Sequence, residues 1–210
     1  MNSDKKNKIG IGQKSAFSQI EKVHPIRMLL YLSMAGIGIL FSVLLVAYAQ
    51  ASLQGENNLA VQVPRYFSVS TILLLVSSYV LSHTSRNYKK DNLIRMRRNL
   101  GITLVLGLLF IFSQLAGWQE IAASGVTYKG QASGTYIYLI SALHIVHIIG
   151  GMIFLVFLFF KTLHASTDAV RSLIFIRDPF RLMQVRMLKT YWHFMDILWV
   201  GLYLVFLFIF

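Results

Sequence analysis

Apolar residues run along this chain in five long blocks, separated by polar and mostly basic stretches. In LLYLSMAGIGILFSVLLVAYAQ, for example, no charged side chain interrupts the run, and each block is close to the ~20 residues that cross a ~30 Å hydrocarbon core as a helix. The pattern predicts spans at about 28–50, 66–83, 100–119, 134–160 and 191–210. The expected fold is therefore all-α: a polytopic bundle of five transmembrane helices over 28–210, preceded by a polar arm at 1–27. That arm shows no short apolar h-region and no small-residue cleavage site, so the first span is expected to serve as the membrane address. Between the fourth and fifth blocks, DPFRLMQVRMLK reads as a short interfacial helix. Asp178 would cap it, Pro179 would fill its first turn, and apolar and basic residues would take opposite faces.

Polar residues inside the blocks keep to one side. In YWHFMDILW and the VGLYLVFLFIF that follows, spacings of three and four align Trp192, Asp196, Trp199 and Tyr203, with His193 on the same flank. The opposite flank is Phe194, Leu198, Gly201, Val205 and Phe208. A carboxylate at the middle of a span costs roughly 2.5–3.5 kcal/mol on insertion scales, so the polar flank is expected to face protein. The fourth block repeats the design in LISALHIVHIIGGMIF. Ser141, His144, His147 and Gly151 share one face, against Ala142, Ile145, Ile149, Met152 and Val156. Small residues at Gly38 and Ser42, Gly101 and Gly107, and Gly150 and Gly151 are expected where helix backbones approach closely.

Three chemistries suit such stripes. Interhelical hydrogen bonding of neutral imidazole to hydroxyl, carboxylate or carbonyl needs nothing else in the sequence and is the leading reading. Metal or haem ligation would need His144, His147 and His193 to converge. At 1.5 Å of rise per residue, His193 and Asp196 fall within ~10 Å of one face while the other two lie nearer mid-membrane. A proton path through Asp196 and the imidazoles is chemically reasonable, because histidine titrates near neutrality, but the ladder of acids a pump needs is missing. Gln114 and Ser113 read as further interhelical bonds, and Trp118 and Glu120 as outer-interface residues. His24, His83 and His164 fall at the inner ends, where exposure accounts for them.

Composition agrees with membrane residence: 56% apolar, 13% charged, mean hydropathy +0.60. The absence of cysteine excludes disulfides, iron–sulfur clusters and thiolate metal sites. A net charge of +12 would suggest nucleic acid if it were clustered on a soluble domain. All but two of the 20 basic residues instead fall in the amino-terminal arm and in the second and fourth connections. They are Lys5, Lys6, Lys8, Lys14, Lys22 and Arg27; Arg86, Lys89, Lys90, Arg95, Arg97 and Arg98; and Lys161, Arg171, Arg177, Arg181, Arg186 and Lys189. The remaining connections hold Arg65 and Lys129, offset by Glu56 and Glu120. The positive-inside rule then puts the amino terminus in the cytoplasm and the carboxyl terminus in the periplasm. The charge is a topology signal and an attraction to anionic headgroups, and nucleic acid is not an expected partner. No paired broken helices suggest a secondary transporter.

ALHIVHIIGGMIFL, followed further on by YWHFMDILWVGLYL, is similar to the two signature helices of subunit III of the haem-copper respiratory oxidases. NLGITLVLGLLFIFSQLAGWQE and YFSVSTILLLVSSYVLS resemble the helices that precede them, so the likeness runs from about residue 26 to 210. The resemblance implies a five-helix subunit of a bacterial inner-membrane oxidase, without the two amino-terminal helices of longer members and without haem or copper of its own. Those cofactors belong to partner subunits. It implies packing against subunit I, with subunits II and IV in the same complex, and phospholipid held in a cleft between helix groups. The attributed roles are to stabilise subunit I through turnover and to support proton uptake. The family positions carried by this chain are His144, His147, Gly151, Tyr191, Trp192, His193, Phe194, Asp196 and Trp199, all packing and hydrogen-bonding positions. Two acids that many members carry are absent: SMAG occupies 33–36 in place of a glutamate, and Arg186 and Lys189 stand where an acid often precedes YWHF. A cytochrome c oxidase is the expected complex, with a quinol oxidase or an accessory subunit of a nitric oxide reductase as alternatives. A free-standing membrane haem protein is the reading from another class.

Overall fold

The computed structural model describes residues 25–54, 64–125 and 132–209. Most of the amino-terminal arm, with Asp4, Lys5, Lys6, Lys8, Lys14, Glu21, Lys22 and His24, lies outside the described residues, as do Glu56, Lys129 and Phe210. The described residues form α1 (Pro25–Gln54), α2 (Arg65–Ser82), α3 (Thr84–Lys89), α4 (Leu93–Ala123), α5 (Ala132–Ala165), α6 (Ala169–Arg177) and α7 (Pro179–Ile209).

Among the described residues, five stretches are long and apolar enough to cross a membrane: Pro25–Leu53, Arg65–Tyr88, Leu93–Ala123, Gly134–Ala165 and Pro179–Phe208. Most outrun the apolar blocks that predict them, because no helix breaker separates each block from its basic flank. A helix of 30 residues, such as Pro179–Phe208, is about 45 Å long and overshoots the hydrocarbon core.

The fourth connection departs from expectation. DPFRLMQVRMLK does not fold as a separate interfacial helix; it is the first part of α7, which continues unbroken into the fifth span. The cap is as expected, with the Asp178 carboxylate accepting from the Phe180 amide at 2.9 Å and Pro179 in the first turn. No proline or glycine follows until Gly201, and Val185 and Leu188 are buried on the same side as Trp192, so nothing stops the helix. The short amphipathic helix of this region is instead α6, AVRSLIFIR. At the same end of the bundle Tyr88 is buried, and its hydroxyl lies against the carbonyls of Phe175 (2.7 Å), Ile176 (3.0 Å) and Asp178 (2.9 Å), tying the α6–α7 junction to α3.

α7 packs against α1, α2 and α5; α4 lies against α2 and α5, and α1 against α5 and α7. Aromatic side chains reach across the middle: Trp199 of α7 meets Phe110 of α4 and Phe67 of α2 with ring centroids 5.5 and 5.7 Å apart. Close approach depends on glycine at two positions above all. A Cβ at Gly151 would lie 2.8 Å from the Tyr191 ring, and one at Gly117, which the sequence reading did not single out, 2.6 Å from Phe67. Gly101 and Gly107 sit against Phe159, and against Met152 and Trp192, at 3.3 Å on the same measure, as expected. Gly150 meets nothing within 4 Å, and Ser42 bonds to Gly38 of its own helix, so neither marks a helix contact. α1 is the least engaged span, with Phe41 and Tyr48 its fully buried apolar side chains.

Candidate functional site

The stripe of Trp192, Asp196, Trp199 and Tyr203 on α7 needs polar partners, and α2 supplies them. The buried side of α2 is Phe67, Ser70, Thr71, Leu74, Ser77 and Leu81, a helical stripe in which half the members carry hydroxyls. Each hydroxyl first donates to its own helix: Ser70 and Thr71 to the Phe67 carbonyl, and Ser77 to that of Leu74, all at 2.8 Å. The hydrogen is thereby used, and the oxygen lone pairs remain as acceptors. Indole nitrogen is a donor only, which makes it their natural complement. Trp192 Nε1 donates to Ser77 Oγ at 3.0 Å and Trp199 Nε1 to Thr71 Oγ1 at 3.1 Å, while Gln114 Nε2 of α4 donates to Ser70 Oγ at 2.7 Å.

Two half-buried pairs bracket these buried ones. Ser68 Oγ meets the Tyr203 hydroxyl at 2.8 Å, and Ser78 Oγ meets His193 Nδ1. From Ser68 to Ser78, α2 advances by as many residues as α7 retreats from Tyr203 to His193. The two helices therefore run antiparallel without a register slip, over about 15 Å at 1.5 Å per residue. Sequence reading found the α7 half of this seam and missed the α2 half. The signal was present in the spacing of Ser70 and Ser77, seven residues or two helical turns apart, with Thr71 beside the first.

Asp196 sits within the seam. Its side chain is 4% exposed, and neither carboxylate oxygen has a hydrogen-bond partner; the imidazole of His193 stands beside it, with Nδ1 3.8 Å from Oδ2. His193 is 32% exposed, so it stands between the buried acid and the outside of the bundle. An imidazole standing beside a carboxylate attracts the acid when the ring carries a charge.

The α5 face divides among three neighbours. Ser141 donates to the Ile137 carbonyl at 2.6 Å and accepts from Trp118 Nε1 of α4 at 2.9 Å, so Trp118 binds inside the bundle rather than only at an outer belt. His144 is fully buried among aromatic rings, with centroids 6.1 Å from Phe41, 5.7 Å from Phe110 and 5.0 Å from Trp199, and neither ring nitrogen has a hydrogen-bond partner. His147 donates from Nδ1 to the Leu143 carbonyl at 2.7 Å, and its own carbonyl accepts from the Tyr191 hydroxyl at 2.9 Å. Gly151 lies under that same tyrosine ring. The structure thus brings Trp192, His193, Asp196 and Trp199 together against α2, and sets Ser141, His144, His147 and Gly151 in separate contacts. Among the described residues no group of three or more His, Cys, Asp or Glu side chains could hold a metal ion.

The expected lipid flanks need correction. On α5, Ile145 and Met152 are buried, and the outward side is Val146, Ile149, Gly150 and Ile153. On α7, Phe194, Leu198 and Val205 are half-buried; the outward side is Ile197, Gly201, Leu204 and Phe208. Both helices touch three other spans, so the buried arc is wider than the polar stripe that marks its centre. Gln114 and Ser113 make the expected interhelical bonds, Ser113 to the Tyr66 carbonyl at 2.8 Å. His164 is exposed beside Arg171, and His83 bonds to the Tyr79 carbonyl at 2.9 Å. Glu120 is half-buried, with Oε2 out of reach of water.

Comparison with known proteins agrees with these helices. Residues 22–210 match the family described as "Cytochrome c oxidase subunit III". The chain is 28% identical over 171 residues to the probable cytochrome c oxidase subunit 3 of Mycobacterium leprae, covering 81% of this chain and 79% of that protein. It is 29% identical over 169 residues to the probable cytochrome c oxidase subunit 3 of Nocardia farcinica, covering 78% and 76%. It is 30% identical over 150 residues to the cytochrome bo(3) ubiquinol oxidase subunit 3 of Buchnera aphidicola, covering 70% and 68%. The chain is therefore a multi-pass membrane protein that belongs to the cytochrome c oxidase subunit III family, and its partners are other subunits of an oxidase.

Proposed function

We propose that this chain is the non-catalytic subunit III of a haem-copper terminal oxidase in a bacterial inner membrane, most simply a cytochrome c oxidase. In this reading the polar arm at 1–27 lies in the cytoplasm, the five-span domain at 28–210 follows, and the carboxyl terminus faces the periplasm. Haem and copper reside in partner subunits. This chain packs on subunit I in a complex that also holds subunits II and IV, keeps subunit I stable through turnover, supports proton uptake, and holds phospholipid.

The seam between α2 and α7 carries the reading. The indole, imidazole and phenol groups of the signature helix are each engaged by a hydroxyl of α2, which suits Trp192, His193, Asp196 and Trp199 to interhelical packing rather than to turnover of a substrate. Ser141, His144, His147 and Gly151 fit the same purpose on α5. The match to a ubiquinol oxidase subunit favours a quinol oxidase as the second reading.

The test is to tag the chain, solubilise membranes gently and identify what co-purifies, together with the haem types in its redox difference spectrum. Recovery of a haem-copper subunit I, whose activity decays faster when this chain is stripped away, is the expected result. Recovery of the chain alone with a Soret band of its own would overturn it.

A further inference from the structure

Near the amino-terminal ends of α1 and α7, beside α3, lies a pocket of about 450 Å³. Its α7 wall is a stripe at spacings of three and four, Arg186, Lys189, Thr190 and His193, and its α1 wall is Arg27, Leu30 and Tyr31. Three cations thus converge from two helices. Among the described residues the ion pairs are Arg171–Asp168, Arg181–Asp178 and His193–Asp196, so none reaches Arg27, Arg186 or Lys189, and no carboxylate lines the pocket. A positive-inside signal needs basic residues at this end of the bundle; it does not need them gathered around one cavity, where they repel each other. A carboxylate between them would relieve that repulsion, and the hydroxyls of Ser85 and Thr190 stand ready to donate to it.

The shape of the pocket decides where such an acid comes from. Further along, the same two helices close together: a Cβ at Gly38 of α1 would lie 3.9 Å from the Phe194 ring of α7. The pocket is therefore blind toward the middle of the bundle. The exposed apolar residues Leu29, Leu32 and Ile39 lie on the far side of α1, so no apolar track leads out of it along that helix. A free inorganic anion would have to be held by the cations alone, one of them, Arg186, exposed. An acid on a subunit already docked arrives at high effective concentration and needs little affinity of its own. The chain's own arm is a poor source, because residues 1–24 carry five lysines against Asp4 and Glu21 and are repelled by the pocket. We propose that the pocket docks a carboxylate-bearing segment of a neighbouring oxidase subunit, one Asp or Glu side chain seating between Arg27, Arg186 and Lys189. The proposal deepens the subunit reading above and rests on it.

The test treats the intact complex with a water-soluble carbodiimide, which activates a carboxylate so that an adjacent amine forms an amide with it and a urea leaves. Joined peptides are then identified by mass spectrometry. Lys189 should be joined to an Asp or Glu of another subunit, with no greater loss of yield in inorganic phosphate than in chloride at the same ionic strength. Arg27→Gln with Arg186→Gln, which keeps the reacting amine, should speed release of the chain from the complex in mild detergent about tenfold, at roughly threefold per ion pair at an interface. Thermal unfolding of the same variant chain should be no easier than that of the parent, because the change relieves repulsion. The charge-matched pair Arg95→Gln with Arg98→Gln, exposed on α4 outside the pocket, should leave release unchanged. A cross-link from Lys189 to Asp4 or Glu21 would make the arm the occupant and overturn the proposal. So would the absence of any cross-link at Lys189, a yield abolished by phosphate alone, or equal loosening by the α4 pair, which would mean diffuse surface charge. Because the co-purifying subunits and haems are identified before treatment, failure of the docking site and failure of the oxidase assignment are distinguishable.

Discussion

Replacing Gly151 by alanine should loosen α5 from α7, while the same change one residue earlier should not. The added Cβ at 151 would fall 2.8 and 3.2 Å from two atoms of the Tyr191 ring and 3.7 Å from Trp192. Comfortable carbon contacts lie at about 3.5–4.0 Å, so the ring must retreat by over half an ångström. It is not free to do so, because its hydroxyl is bonded to the His147 carbonyl at 2.9 Å. Overpacking of this kind costs about 1–3 kcal/mol, and a broken hydrogen bond adds about 1. The helix preference of alanine over glycine returns about 0.5–1 kcal/mol, leaving a net loss of about 1–3.5 kcal/mol. At Gly150 nothing lies within 4 Å, so the preference stands alone and the variant should be as stable as the parent or slightly more so. Thermal unfolding of the chain in bicelles, followed by tryptophan fluorescence, gives the comparison. Adding Tyr191→Leu to Gly151→Ala should recover at least about 1 kcal/mol in a double-mutant cycle. Two glycine variants that shift together, or a neutral Gly151→Ala, would refute the contact.

The seam makes two further predictions, and the α6–α7 junction a third. Thr71→Val keeps the shape but removes the acceptor of the fully buried Trp199 indole, and should lower stability by about 1–3 kcal/mol in the same unfolding assay, against less than about 1 for Ser78→Ala, whose partner His193 can turn to water. Asp196→Asn should hold or raise the stability of the isolated chain, because it removes a buried charge that no hydrogen bond compensates, whereas Asp196→Ala should lower it by about 1–2 kcal/mol through lost packing; equal losses would show that the charge itself is needed. Tyr88→Phe should release the α6–α7 junction and speed proteolytic cutting around 166–178 by about tenfold for each 1.4 kcal/mol lost, with cutting elsewhere unchanged.

The spans were legible because lipid leaves a chain little choice: a long apolar run must be a helix, and a polar group on it must turn inward. The α7 stripe was legible for the same reason, since Asp196 and His193 stand out against their neighbours. Ser70, Thr71 and Ser77 do not stand out, because hydroxyls bonded to their own helix are cheap anywhere in a membrane, and only the facing helix shows which of them are used. The wide buried arcs of α5 and α7 were hidden too. Leucine, isoleucine and methionine serve equally well against lipid or against protein, so Ile145 and Met152 carry no mark of their burial. The continuity of α7 was misread because a change from basic to apolar composition looks like a boundary, although the backbone has none there.

The hydroxyls of α2 have a consequence for assembly. Since Ser70, Thr71 and Ser77 complete their own donor requirement within one helix, α2 can enter the bilayer ahead of its partner without a dangling donor. Trp192 and Trp199, made later in the chain, then arrive at acceptors already held in place. The order of synthesis and the order of bonding agree, so α7 can lock onto α2 as it leaves the insertion machinery.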